Sequence, residues 1–164
     1  MAKTIVGIGG LAAARGGGVL VTYALGSCVG ICLYEKDLKL GAMAHAFLPD
    51  SGIARGSWDM PDEGGRYVDT AVINLLATME SCGAAKRNIT ARLYGGARMY
   101  AIGSGSPLVS SACDIGRCNC EAARRALAAL DIPIAEEDIG GTAARTIEFR
   151  TDDGSVSVNK SRRG

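Results

Sequence analysis

Val19-Leu20-Val21-Thr22-Tyr23-Ala24-Leu25-Gly26-Ser27-Cys28-Val29-Gly30-Ile31-Cys32-Leu33-Tyr34 is the longest apolar stretch of the chain. Its Val, Thr, Ile and Tyr residues suit a strand, and Gly26-Ser27 breaks it in two. It reads as two buried strands, residues 19–25 and 29–34, joined by a glycine-flanked bend that carries Cys28. The polar residues 35–38 read as a hairpin turn, and residues 40–48 as the returning strand. That strand holds Gly41-Ala42-Met43-Ala44-His45-Ala46-Phe47-Leu48-Pro49, with the only histidine of the chain.

Working outward, residues 5–8 read as a first strand and Gly16-Gly17-Gly18 as a break. Residues 49–65 form a long loop punctuated by Gly and Pro. Residues 66–81 are the clearest helix: Val68, Val72, Leu75, Leu76 and Met79 share one face, and Gly83 lies just past the end. Residues 91–94 read as a strand ended by Gly95-Gly96. Residues 119–130 read as a second helix with Ala122, Ala126, Leu127 and Leu130 inward, and residues 132–135 as a strand. Gly140-Gly141 is a turn, and residues 146–150 and 156–159 make a hairpin around Asp153-Gly154. Strands outnumber helices and do not alternate with them regularly, which is an α+β pattern of packed sheets and flanking helices.

The 164 residues fit a single domain spanning 1–164. Apolar residues make up 48% of them, enough for a core, and aromatics only 5%, so that core is aliphatic. The formal charge of +1 and the lack of a basic stripe argue against nucleic-acid binding. The basic cluster Lys160–Arg163 reads as a solvated end. The apolar stretch is broken by Thr22, Gly26, Ser27 and Gly30, short of the ~20 residues a membrane span needs. No secretory signal opens the sequence, so a cytoplasmic protein with reduced thiols is expected.

Two motifs fail on inspection. Gly7-Ile8-Gly9-Gly10-Leu11-Ala12 matches a dinucleotide fingerprint, but Gly16-Gly17-Gly18 cuts off the helix that should follow, and the next acidic residue is Glu35. It reads as a glycine-rich turn. The cysteines (Cys28, Cys32, Cys82, Cys113, Cys118 and Cys120) contain no C-x-x-C knuckle. Neither a metal nor a cofactor is expected.

Cys28 is the residue with chemistry to offer. In a glycine-flanked bend its sulfur is accessible, and backbone N–H groups of Ser27 to Val29 are free to stabilise an oxyanion. The competing reading is a small buried hydrophobe. His45, in turn, is either a satisfied core histidine or a base. With residues 35–38 as the turn, its centre falls between Lys36 and Asp37, and Cys28 faces His45 with Cβ atoms ~5 Å apart. An imidazole at that range takes the thiol proton and holds a thiolate as an ion pair. Thr22 has the parity of Cys28. It is either an orienting hydroxyl for the imidazole or substrate amide, or a β-branched strand former.

The stretch from Val21 to Tyr34 and the block Gly41 to Pro49 resemble the signature of the chemoreceptor glutamine deamidases, the CheD family. Arg66-Tyr67, Gly95-Gly96-Ala97-Arg98-Met99, Ile115-Gly116-Arg117-Cys118-Asn119, Gly140-Gly141 and Arg145 match its later blocks in order. Cys118 and Cys120, and a long stretch at residues 100–113, depart from its pattern. The resemblance implies a catalytic Cys28, His45 and Thr22, and a fold similar to the catalytic domain of the cytotoxic necrotizing factors. It implies deamidation of glutamines on methyl-accepting chemotaxis receptors, in some members methyl-ester hydrolysis, and in many binding to the CheC phosphatase. Two alternatives stand beside it: a CheC-binding regulatory module with little catalysis, and a Cys–His amidohydrolase or protease with another substrate.

Overall fold

In a computed structural model, residues 2–53, 63–99 and 114–161 are described. The strands are β1 (Lys3–Ile5), β2 (Leu11–Arg15), β3 (Val19–Leu25), β4 (Val29–Glu35), β5 (Leu40–Ala46), β6 (Thr90–Gly95), β7 (Ile134–Ile139), β8 (Ala144–Arg150) and β9 (Val156–Ser161). The helices are α1 (Val68–Ser81) and α2 (Ile115–Ala129), with 3-10 turns at Ser51–Ile53 and Lys86–Asn88.

Side-chain alternation along β4 and β5 divides the core into two layers. Val29, Ile31 and Leu33, with Leu40, Ala42, Ala44 and Ala46, face α1 and α2 through Val68, Val72, Leu75, Met79, Ala123 and Leu127. The alternate residues Cys32, Tyr34 and Met43 meet Leu20, Leu25, Tyr94, Ile147 and Phe149 on the other face. The result is α+β: a five-stranded sheet in the order β2-β5-β4-β6-β7, helices on one face, and a four-stranded sheet β1-β3-β8-β9 on the other. Gly41 lets the sheets close, since a Cβ there would stand 2.7 Å from the Phe149 ring.

Several expectations are corrected. The bend at Gly26-Ser27 carries the chain from one sheet to the other, since β3 and β4 pair in different sheets. The first strand ends at Ile5, and a further strand, β2, follows the glycine turn; its Leu-Ala-Ala-Ala-Arg sequence has little strand propensity and is held by pairing with β5. The second helix starts at Ile115, four residues before the reading, with Asp114 as N-cap accepting from the Arg117 N–H. The hairpin register also differs. His45 pairs with Gly30, and Cys28 precedes the ladder. The turn lies one residue further along than read: Glu35 still pairs with Leu40, its carboxylate accepts the Leu38 N–H at 2.7 Å, and Lys39 takes a left-handed φ of 48°. Moving the turn centre by one residue moves the partner of His45 by two, which preserves the face. The stretch at residues 100–113, with Cys113, and the end of the basic cluster lie outside the described residues.

Candidate active site

The site lies between the two sheets, where β3 hands over to β4. Thr22 points inward from β3 and is fully buried. Beyond it the β3–β8 register slips between Thr22 and Leu25, and Ala24 takes a left-handed φ of 55°. This bulge leaves Tyr23 and Ala24 exposed and returns Leu25 to the core. Parity from Thr22 to Cys28 is therefore broken, yet Thr22 still meets the site.

His45 projects from β5 toward β3. Its Nδ1 lies 2.7 Å from Thr22 Oγ1, which also stands 2.6 Å from the Val6 carbonyl oxygen. A carbonyl only accepts, so the single hydroxyl proton of Thr22 goes to Val6, and His45 Nδ1 must donate to Thr22. That fixes the tautomer and leaves Nε2 with the basic lone pair. Nε2 is buried and has no partner among the described residues. The backbone of His45 is held from the other side: Gly9 N–H donates to its carbonyl at 2.8 Å, and its own N–H donates to Gly10 at 3.1 Å. The glycine-rich turn that mimics a nucleotide motif thus braces His45.

Cys28 is half-buried, and Val29 beside it is fully buried and register-paired with both Ala46 and Gly95. Three successive carbonyls of the bend are tied down. Ala97 N–H donates to Gly26 at 2.8 Å, Asn119 Nδ2 to Ser27 at 2.9 Å, and Gly96 N–H to Cys28 at 2.8 Å. Gly95 has a φ of 102°, and a Cβ there would lie 2.3 Å from the Cys28 carbonyl oxygen, so no other residue fits. Gly140 N–H and Arg145 Nη1 both donate to Gly95 O, at 2.9 and 3.3 Å, and Arg98 N–H donates to Gly141. Arg145 is itself held by Asp138 at 3.2 Å. The Arg66 carbonyl accepts from Phe47 and Leu48, just beyond His45. The quoted sequence blocks therefore converge on one bend and one strand end.

The electrostatics favour uncharged groups. Burial pushes the Cys28 thiol up to about 11, opposed by the N–H of Cys28 itself, and pushes His45 down to about 4, opposed by the Val6 carbonyl. The ion pair expected from the sequence is not the resting state these shifts favour; a neutral thiol and a neutral imidazole are. Burial also raises Cys32 strongly, and Cys120 to about 11. Asn119 is the residue whose contribution the sequence pattern left without a role. It is fully buried, and its Nδ2 reaches Ser27 O and, at 3.2 Å, Phe47 O. Only its place in a family block drew notice to it; its contacts depend on α2 starting early enough to turn it inward.

These features define a class: a two-sheet α+β protein with a thiol in a pinned bend, two residues before the strand partner of a buried imidazole that pairs with a hydroxyl; the thiol and Nε2 share no hydrogen bond. A family profile described as CheD chemotactic sensory transduction matches residues 47–160. The chain is 42% identical over 160 residues to a probable chemoreceptor glutamine deamidase CheD of Symbiobacterium thermophilum, covering 97% of this chain and 93% of that protein. It is 39% identical over 158 residues to the chemoreceptor glutamine deamidase CheD of Thermotoga maritima, covering 96% and 92%. A third, from Halalkalibacterium halodurans, is 37% identical over 143 residues, covering 87% and 84%. The chain belongs to the CheD family.

Proposed function

We propose that the protein is a chemoreceptor glutamine deamidase in which Cys28 is the nucleophile, His45 Nε2 the base and Thr22 the orienting hydroxyl. The observation that carries the chemistry is the contact of Thr22 with His45 Nδ1 at 2.7 Å, which turns away from the hydroxyl a basic Nε2 that has no partner among the described residues. The names of the relatives supply the substrate class, glutamines of chemoreceptors.

In this mechanism His45 Nε2 takes the thiol proton as the Cys28 sulfur attacks the carboxamide carbon of a receptor glutamine. The C–S bond forms as the carbonyl π bond opens to an oxyanion. Backbone N–H groups around Ser27 to Val29 stabilise it, those of Ser27 and Cys28 foremost, since neither donates to another group among the described residues. Collapse breaks the C–N bond, and the imidazolium returns its proton to the departing ammonia. Water, deprotonated by Nε2, then attacks the thioester, and the sulfur leaves as the restored thiol. The product glutamate adds a negative charge to the receptor.

The same reading covers a cytoplasmic location, methyl-ester hydrolysis as a side activity, CheC as a partner and a likeness of fold to the cytotoxic necrotizing factors. Among the described residues no helix is long and apolar enough to cross a membrane. One observation favours a second reading. Burial pushes the Cys28 thiol up to about 11, away from the reactive thiolate, which fits a CheC-binding module with little catalysis. Incubation with the cytoplasmic fragment of a chemoreceptor separates the two. The wild type is expected to release ammonia and convert specific glutamines to glutamate by mass spectrometry, and folded Cys28→Ala to release none. Normal deamidation by Cys28→Ala, or none by the wild type, overturns the proposal.

A further inference from the structure

Asn119 has a buried carboxamide that the mechanism above does not use. Its Nδ2 spends both protons on carbonyls, Ser27 at 2.9 Å and Phe47 at 3.2 Å. Those carbonyls belong to the Cys28 bend and to the residues just after His45, so one side chain on α2 ties the two halves of the site together. Its Oδ1 is buried with no partner among the described residues. An orphaned buried acceptor is unfavourable, and flipping the amide would set Oδ1 against two carbonyls instead. The two acceptors therefore fix the orientation, and a cost is carried to keep both donations.

Among the described residues every peptide bond is trans. In a planar trans peptide the carbonyl and the N–H point in opposite directions. The Ser27 carbonyl and the Cys28 N–H are the two ends of one such unit. A donor on Ser27 O therefore aims the Cys28 N–H and polarises it. That N–H belongs to the same residue as the attacking sulfur, the place from which a nucleophile's own backbone serves an oxyanion hole. It donates to no other residue among those described.

We propose that Asn119 is a positioning residue for the oxyanion site: by donating to the Ser27 carbonyl it fixes the Ser27–Cys28 peptide with the Cys28 N–H directed at the oxygen of the tetrahedral intermediate. This rests on Cys28 being an acyl-transfer nucleophile and does not depend on which amide it attacks. It separates the role of Asn119 from that of Thr22. Thr22 acts on the base; Asn119 acts on the charge that develops on substrate.

Two reagents on the same sulfur test it. p-Nitrophenyl acetate acylates a thiol through an oxyanion, whereas iodoacetamide alkylates it by displacement with none. Asn119→Ala is expected to slow acylation of Cys28 by about 10- to 100-fold, somewhat less than loss of a direct oxyanion donor. Alkylation should stay within about 3-fold of wild type, since an indirect effect on the sulfur itself is small. In receptor deamidation the loss should fall on kcat, with KM little changed. Asn119→Ser keeps a shorter donor and should lie between the two; if Asn119→Ala does not fold, Asn119→Ser carries the same comparison. Parallel loss of both reactions, or wild-type acylation, overturns the role of Asn119. Failure of the wild type to deamidate a receptor fragment, with the acylation-to-alkylation ratio still altered in the variant, would overturn the receptor reading and leave Asn119 standing.

Discussion

Thr22 decides the chemistry available to His45. A hydroxyl that gives its proton to Val6 O at 2.6 Å must accept from Nδ1 at 2.7 Å. Thr22→Val keeps the shape but leaves both the carbonyl and the imidazole unpaired. It is expected to lower deamidation by about 10- to 100-fold, less than the roughly 10²–10⁴-fold contribution of the acid–base group itself, and to cost about 1–3 kcal/mol in urea unfolding. Thr22→Ser restores the hydroxyl and should recover most of both. An unaffected Thr22→Val would show that the ring needs no such anchor. The acid limb of kcat/KM belongs to the same residue scale. In the proposed mechanism neutral imidazole is the active form, and burial holds His45 at about 4. Activity is expected to stay level from pH 7 to about 5 and to fall only near pH 4. A midpoint near the ordinary histidine value of ~6.5 would mean that the ring is solvated.

At the scale of elements, α2 shows why part of the site was illegible in the sequence. Periodicity picks out Ala122, Ala126, Leu127 and Leu130, because that half of the helix is rich in good helix formers. The first turns, Ile115-Gly116-Arg117-Cys118-Asn119, look like loop by propensity. Yet the buried face includes Gly116, Asn119, Cys120 and Ala123 as well as the expected Ala122 and Leu127. Tertiary packing overrides propensity there. A Cβ on Gly116 would stand 2.4 Å from the Ala97 carbonyl oxygen and 2.6 Å from that of Gly96. Gly116→Ala in an exposed helix would gain about 1 kcal/mol. Here it is expected to destabilise by about 1–3 kcal/mol and to reduce kcat, because it pushes α2 and Asn119 away from the bend. Increased stability with normal turnover would refute that packing. The hairpin is the converse case. Its strands and face were legible from alternation and the polar turn, but its register depended on one turn residue, and Lys39 in a left-handed conformation is not a residue that announces such a turn. The α+β class, the strand Val19–Leu25, the helix through Met79 and the final hairpin follow directly from period and punctuation. The crossing between sheets does not, because a bend within a sheet and a bend between sheets have the same local sequence.

The whole molecule carries a thermodynamic consequence of enclosing its only histidine between two sheets. His45 is held at about 4 in the folded state, below the 6.5 of the free side chain. The unfolded chain therefore binds a proton first as pH falls, and protonation pulls toward unfolding. The stability at stake is fully present above pH 6.5 and is lost progressively as pH falls through 6.5 toward 4. Between pH 7.5 and 5 the loss is about 2 kcal/mol. Most carboxylates titrate below this window and the ordinary cysteine above it, so a chain with one histidine isolates the effect of one group. Cys28 acts at the opposite end. Its folded value near 11 lies above the 9.0 of a free thiol, so its share of stability is kept below pH 9 and lost as pH rises from 9 toward 11. Urea unfolding of wild type and His45→Gln at pH 7.5, 6.5, 5.5 and 5 measures the acidic side. The wild-type curve should bend downward across this range, and the variant, though less stable at pH 7.5, should stay nearly flat. Equal slopes in the two proteins would mean that His45 titrates alike in folded and unfolded chains. In that case the space between the sheets is open to water, and the neutral thiol–imidazole pair is not the resting state.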